Sequence, residues 1–349
     1  MSQYNDANFG LLGNQTITNT LLKGLRNGTL VQSYVLIGPP HLGKLTLAQG
    51  LAQGVNCLGS QNEIPCGQCS QCMRIKQGIH PDVQIINIKN PEITEDSGLT
   101  PNRLAWLRGL LRETYLKPFE GKCRVFILEE VDTISRASAD TLLKSLEEPP
   151  SAVLFILIGN LAEHIPDTIL SRCQRFDFRP LSNDAIEDCL KEMKLMDEPK
   201  ARELAILSEG CIGWAIEAAN NLEILDQYLA DRQNFAMVLN EDLQKKFSYA
   251  EQIASRFWKD KEYVLGQLAI MLSFWRTLLL FLGNGNKNIC STEMSLFTEA
   301  AKSIDMYQVM SSIKKTENII EYLSDINNPN PRLAFESLML DIHSGSIIF

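Results

Sequence analysis

The sequence predicts an α/β domain built on a parallel sheet, followed by regions that are helical throughout. Three observations predict it. A strand runs into a glycine loop and then a helix at residues 35–48, at least five apolar strand-like runs alternate with helical patterns up to Phe178, and beyond Leu181 such runs disappear. With 349 residues, 45% of them hydrophobic, the chain has room for two or three domains and a buried core.

Residues 11–27 carry Leu11, Leu12, Ile17, Leu21, Leu22 and Leu25 at helical spacing, and Gly28 closes the helix. The strand at residues 34–37 leads into Gly38-Pro39-Pro40-His41-Leu42-Gly43-Lys44. A GxxxxGK run between a strand and a helix is a P-loop. Its glycines let backbone N–H groups turn around a phosphate, the helix presents its positive end, and Lys44 supplies charge to the outer phosphates. The hydroxyl that should follow, to hold Mg²⁺, is missing because position 45 is leucine. Thr46 stays within reach of an inner phosphate. Gly50 and Gly54 in the same helix predict close packing against a neighbour.

Cys57, Cys66, Cys69 and Cys72 come next. Four thiolates make a complete tetrahedral shell for Zn²⁺, and two-residue gaps let a tight turn aim neighbouring sulfurs at one metal. With no open coordination position beside an acid or base, the expected ion is structural and pins a small module over residues 57–72. A redox CxxC pair would leave two cysteines without a use. Nine cysteines, four clustered and the rest scattered, suit a reducing compartment better than a disulfide framework. Because the cysteines already fill the shell, His80 of His80-Pro81-Asp82 is expected to be a hydrogen-bonded structural residue.

A strand at residues 83–88, with Val83, Ile85 and Ile88 apolar, precedes a polar loop at 90–102 and a helix at 103–115. The strand at 124–128 then delivers Glu129-Glu130-Val131-Asp132. Acids at the carboxyl end of an apolar parallel strand form a Walker B element, in which Glu129 would hold Mg²⁺ and Glu130 would orient the attacking water. Glutamate at 129, where aspartate is usual, moves the carboxylate outward by a methylene. An amphipathic helix at 138–148 stops at Pro149-Pro150, and the strand at 153–158 ends just before Asn160, a further nucleotide-binding candidate. Ser171-Arg172-Cys173 precedes a short strand at 176–178.

From residue 181 the pattern is helical, with Asn183 as a candidate cap and a helix at 201–207 before Gly210. Residues 235–349 predict a helical bundle whose stripes, including Trp258, Phe274 and Trp275, are core. The most apolar segment, 264–282, is interrupted by Gln267, Ser273 and Arg276 and is expected to be a buried helix rather than a membrane span. A net charge of −9 argues against a wholly basic nucleic-acid surface, so proteins are the expected partners. Residues 1–10 show no basic start followed by an apolar run, and a cytoplasmic location is expected.

Taken in order, the P-loop, the four cysteines, His80-Pro81-Asp82, the run Leu142-Leu143-Lys144-Ser145-Leu146-Glu147-Glu148-Pro149-Pro150 and Ser171-Arg172-Cys173 resemble the clamp-loader branch of the AAA+ ATPases. More closely, they resemble its delta-prime class in bacterial DNA polymerase III. The resemblance covers most of residues 9–180 and rests beyond that on helical architecture. It implies a P-loop AAA+ domain over 1–180 with an inserted zinc module, a helical lid over 181–230 and an all-α collar over 231–349. It implies membership of a pentameric ring that opens a sliding clamp and places it on primed DNA, with other clamp-loader subunits as partners and no membrane. In such rings the arginine at the position of Arg172 reaches a neighbour's nucleotide, where a planar, permanently charged guanidinium stabilises charge on the departing phosphate.

Motor members carry a lid arginine where this sequence has Gly213, in Glu209-Gly210-Cys211-Ile212-Gly213-Trp214-Ala215. Leu45, Glu129 and Gly213 together favour a subunit that donates a finger and hydrolyses little or no ATP. Its expected cofactors are structural Zn²⁺ and a bound ATP or ADP, with the Mg²⁺ site impaired. The competing reading is a motor ATPase using Lys44, Thr46 and Glu130. A DNA-binding zinc protein is disfavoured by the acidic balance and by a cysteine knuckle without interleaved basic and aromatic residues.

Overall fold

The computed structural model describes residues 9–60, 63–88, 103–283, 289–290, 293–302, 304–324 and 329–344; the polar loop expected at 90–102 lies outside them. The chain forms two compact units, one of residues 1–193 with 208–215 and the other of residues 194–207 with 216–349.

In the first unit the elements run α1 (Gln15–Asn27), β1 (Ser33–Ile37), α2 (Lys44–Asn56), α3 (Ser70–Lys76), β2 (Val83–Asn87), α4 (Arg103–Glu113), β3 (Arg124–Glu129), α5 (Arg136–Glu147), β4 (Val153–Gly159), α6 (Asp167–Leu170), β5 (Gln174–Asp177) and α7 (Asn183–Glu192). The five strands pair in the order β2-β3-β4-β1-β5, and every pairing is parallel. Alternation along the strands divides the core. Tyr34, Leu36, Val125, Ile127, Leu154 and Ile156 pack with α1 and α2 on one face, while Val35, Ile37, Phe126, Leu128, Phe155 and Leu157 pack with α4 and α5 on the other. Both faces are covered, so the central strands read as unbroken apolar runs.

The glycines of α2 work as expected. A Cβ at Gly50 would lie 2.4 Å from that of Phe9, and one at Gly54 would lie 2.5 Å from Leu25 of α1. Two local expectations need correction. The cap of α7 is Ser182, whose hydroxyl accepts from the Ala185 N–H, and Asn183 is the first helical residue. The last strand of the sheet begins at Gln174, two residues before the sequence places it.

The second unit contains α8 (Glu198–Leu207), most of α9 (Ile212–Asn220), α10 (Leu222–Leu239), α11 (Leu243–Ala254), α12 (Lys261–Leu282), α13 (Met294–Ala300), α14 (Met306–Ser324) and α15 (Pro331–Ser344). Phe235, Phe274, Trp275, Phe297 and Phe335 centre its core. Trp258 is 67% exposed, in the turn after α11, and does not belong to that core. Arg232 is buried against Glu293 at 2.5 Å and also donates to Ser273 at 2.6 Å, so the charge sealed in this bundle is paired and hydrogen-bonded. Among the described residues α12 is the helix long and apolar enough to cross a membrane. Its Leu268, Met271, Phe274, Trp275 and Leu278 are buried in the bundle, as a core helix requires.

Candidate functional site

Strand order brings the nucleotide-type residues together. β4 lies between β1 and β3, and Ile37 stands level with Gly159, so Gly38, Asn160 and the acids after β3 share the carboxyl end of the sheet. Gly38, at φ 148, sits where a Cβ would lie 2.8 Å from the Phe178 carbonyl, and Gly43, at φ 83, caps α2. These conformations and contacts leave no room for a side chain at the start of the loop.

Lys44 is folded inward. Its ammonium donates to the Gly38 carbonyl, to the Pro39 carbonyl at 2.7 Å and to Asn160 Oδ1 at 3.1 Å. Burial lowers its pKa to about 8, against the opposing pull of the Asp132 carboxylate and the Cys211 thiol. Leu45, in place of a Mg²⁺-holding hydroxyl, packs against the core beneath the sheet, and Thr46 is exposed beside Gly10.

The two acids expected to form a Walker B element, Glu129 and Glu130, diverge. Burial, with help from the Glu130 charge, raises the Glu129 carboxyl above its ordinary value. Glu130 adopts φ 55, and its Oε1 accepts from Asn87 at 3.0 Å. The acid coupled to Lys44 is Asp132, which the sequence reading left without a role. Its Oδ2 accepts from the Asn160 N–H at 3.1 Å, and its Oδ1 is buried without a hydrogen bond. The signal for it was an acid three residues beyond the end of an apolar strand, where the chain makes a 3₁₀ turn.

Residues 208–215, in the same unit, complete this end. The Gly213 N–H donates to the His41 carbonyl at 2.8 Å, and His41 has φ 60. A Cβ on Gly213 would lie 2.8 Å from that same oxygen.

Arg172 lies at the opposite end. β5 pairs Gln174 with Tyr34 and Asp177 with Ile37, so Arg172 stands before the start of β5 while the P-loop follows the end of β1. At the usual rise per strand residue the two are about 20 Å apart. Its side chain, 33% exposed, meets Glu147 at the end of α5.

The four cysteine sulfurs lie within 4.8 Å of one another. Cys57 follows the last residue of α2 and Cys69 caps α3, so two helix ends hold the cage. Backbone N–H groups of Gly59 and Cys66 point at the Cys57 sulfur, and those of Cys69 and Cys72 at the sulfurs of Cys66 and Cys69. Burial pushes the Cys57 and Cys72 thiols up. At Cys69 burial acts the same way, but hydrogen bonds from the Leu58 and Cys72 backbones and the neighbouring thiols pull the group down to about 6. A converging all-sulfur donor set with N–H groups facing the sulfurs fits a tetrahedral soft-metal site. His80 stays out of it, bonded to Gln71 and accepting from the Asp82 N–H at 3.0 Å.

Residues 13–182 match the family described as "DNA polymerase III, delta subunit". The delta-prime subunit of Bacillus subtilis DNA polymerase III is 27% identical over 338 residues, which cover 94% of this chain and 96% of that protein. The chain is thus similar to clamp-loader subunits of bacterial DNA polymerase III, over residues 13–182 by the family match and over nearly its whole length by the delta-prime relative. The chain is also 32% identical over 230 residues to the tau/gamma subunit of Haemophilus influenzae, covering 64% of this chain and 31% of that one. It thus spans about a third of the length of the tau-type relatives it matches. A gamma-subunit-related protein of known structure from Thermotoga maritima pairs with 94% of this chain and 100% of its own, at 14% identity and a TM-score of 0.42.

Proposed function

We propose that this chain is a non-motor, delta-prime-like subunit of a DNA polymerase III clamp loader, which helps build the ring and lends Arg172 to a neighbour's ATP site. The observation that carries the reading is the opposition of Arg172 and the P-loop across the sheet. A guanidinium at the amino end of the strands cannot reach a phosphate held at their carboxyl end in the same chain, so if it meets a phosphate, that phosphate belongs to another subunit. Three further features favour weak or absent hydrolysis in this chain's own site. Leu45 is committed to the core, Glu130 is engaged by Asn87, and the lid backbone at Gly213 rests on the loop without a side chain. In this reading the P-loop keeps a phosphate cradle in Gly38, Gly43 and Lys44, with Asn160 beside it and Mg²⁺ poorly served. The cysteines hold a structural zinc. Residues 181–230 act as lid and 231–349 as collar, and the chain works in the cytoplasm with the other loader subunits, the sliding clamp and primed DNA.

The test is a reconstituted ring. Replacing Arg172 with Ala should lower hydrolysis at the one site it serves by about 10³-fold or more, so that clamp-stimulated turnover falls by that site's share while assembly persists. Unchanged turnover refutes the finger. The motor reading draws on the higher identity to the tau/gamma relatives, 32% against 27% for delta-prime. It requires the isolated chain to hydrolyse ATP in a way that Lys44→Ala abolishes.

A further inference from the structure

The two most specific motifs in the sequence, the Leu142–Pro150 run and Ser171-Arg172-Cys173, meet in one contact. Arg172 Nε donates to Glu147 Oε1 at 2.7 Å, and Nη2 approaches the same oxygen at 2.5 Å. On the other side, Nη1 donates to the Thr168 carbonyl at 2.8 Å and to the Ser171 hydroxyl at 3.2 Å. A guanidinium has five N–H groups. Among the described residues, Nε and Nη1 are hydrogen-bonded within this chain and Nη2 lies beside the same carboxylate oxygen, so the outward donor capacity of the guanidinium is on Nη2.

We propose that Glu147 is a positioning residue, which holds the Arg172 guanidinium in one orientation before a neighbour's phosphate arrives; the proposal rests on the trans-finger reading above. The end of α5 that carries Glu147 is fixed independently, since the Pro150 carbonyl accepts from Gln32 Nε2 at 2.7 Å just before β1. A free arginine side chain samples many rotamers, and a planar fork held at three corners presents its remaining donor in one direction. The side chains are 33% and 48% exposed, so the pair contributes little to fold stability. Catalysis responds far more steeply to the same contact, because a displacement of about 1 Å can cost about a hundredfold in rate. That contrast separates positioning from an ordinary surface ion pair.

The experiment compares Arg172→Ala, Glu147→Ala and Glu147→Gln in the reconstituted ring, with kcat and KM for ATP measured separately. Glu147→Ala should remove most of the clamp-stimulated kcat that Arg172→Ala removes, with KM for ATP and the melting temperature unchanged. Glu147→Gln, which keeps the acceptor oxygen, should retain most of it. If Arg172→Ala slows the ring and Glu147→Ala does not, positioning is overturned and the finger stands. If Arg172→Ala itself changes nothing, the finger fails and the proposal with it. In the isolated chain, the ¹⁵N-edited signal of the Arg172 Nε–H, identified by its loss in Arg172→Ala, should shift or broaden in Glu147→Ala. An unmoved signal overturns the positioning whatever the ring does.

Discussion

Helix α2 carries two sites at its two ends, and they differ in how complete they are. At its start Gly43 and Lys44 form a cradle that the chain itself satisfies, with the ammonium bound by the carbonyls of Gly38 and Pro39 and by Asn160. At its finish Cys57 joins three other sulfurs within 4.8 Å. Thiols are weak hydrogen-bond partners, so the four sulfurs satisfy one another poorly, and together they form a donor set that fits a cation. The more recognisable motif is therefore the one that has turned inward. A phosphate loop can keep its backbone form when its lysine substitutes for a ligand, whereas a converging set of sulfurs has no such internal substitute.

The largest effect should come from the cage. The purified chain is expected to carry one zinc, and stripping it, or replacing Cys69 with Ser, should cost several kcal/mol; in isolated fingers the corresponding binding energy is on the order of 10 kcal/mol. The loss should be local, felt first by amide exchange in α3, because the sheet has its own core on both faces. A metal-free chain that melts at the same temperature would erase the contrast between the two ends.

Lys44→Met tests the other end. It strands the Gly38 and Pro39 carbonyls without a donor and should destabilise the fold by about 1–3 kcal/mol, while leaving ring turnover close to normal. The pH dependence sharpens this. Burial holds Lys44 at about 8 against an ordinary 10.5, so between these values the unfolded chain binds a proton that the folded chain has released. The wild type should gain stability as pH rises through that window, and its margin over Lys44→Met should widen. A flat margin would mean that the amine is solvated and free to meet a phosphate.

Much of this was readable in the chain. Residues buried on both faces of a parallel sheet leave unbroken apolar runs, and strict glycine spacing leaves a P-loop, so β1, β3, β4 and the loop were legible. The remainder depended on geometry that spacing does not carry. Asp132 acts electrostatically on Lys44 from a 3₁₀ turn at Val131–Thr133 that residue spacing does not announce. Glu147 meets Arg172 across 25 residues because both lie at the amino end of the sheet. Ser182 and Asn183 both suit a cap, and only the backbone angles choose between them. Trp258 follows helical spacing yet falls in a turn, so an apolar stripe mistook an exposed ring for core.

Gly213 gives the smallest and most pointed test. From sequence, glycine there means a missing arginine, which suggests that restoring the side chain would restore a motor. The structure argues otherwise, because the backbone at this position is itself a contact. Its N–H bonds the His41 carbonyl at 2.8 Å, and a Cβ would stand 2.8 Å from that oxygen and 3.3 Å from the His41 Cα. Alanine is the better helix former by about 1 kcal/mol, yet it must push residues 208–215 off the loop, an overpacking cost of about 1–3 kcal/mol. We expect Gly213→Ala to lower the denaturant midpoint despite its propensity, and Gly213→Arg to lower it further without creating ATPase activity. If Gly213→Ala is neutral or stabilising, residues 208–215 are not seated on the loop, and the inward-turned end of α2 is more open than its hydrogen bonds imply.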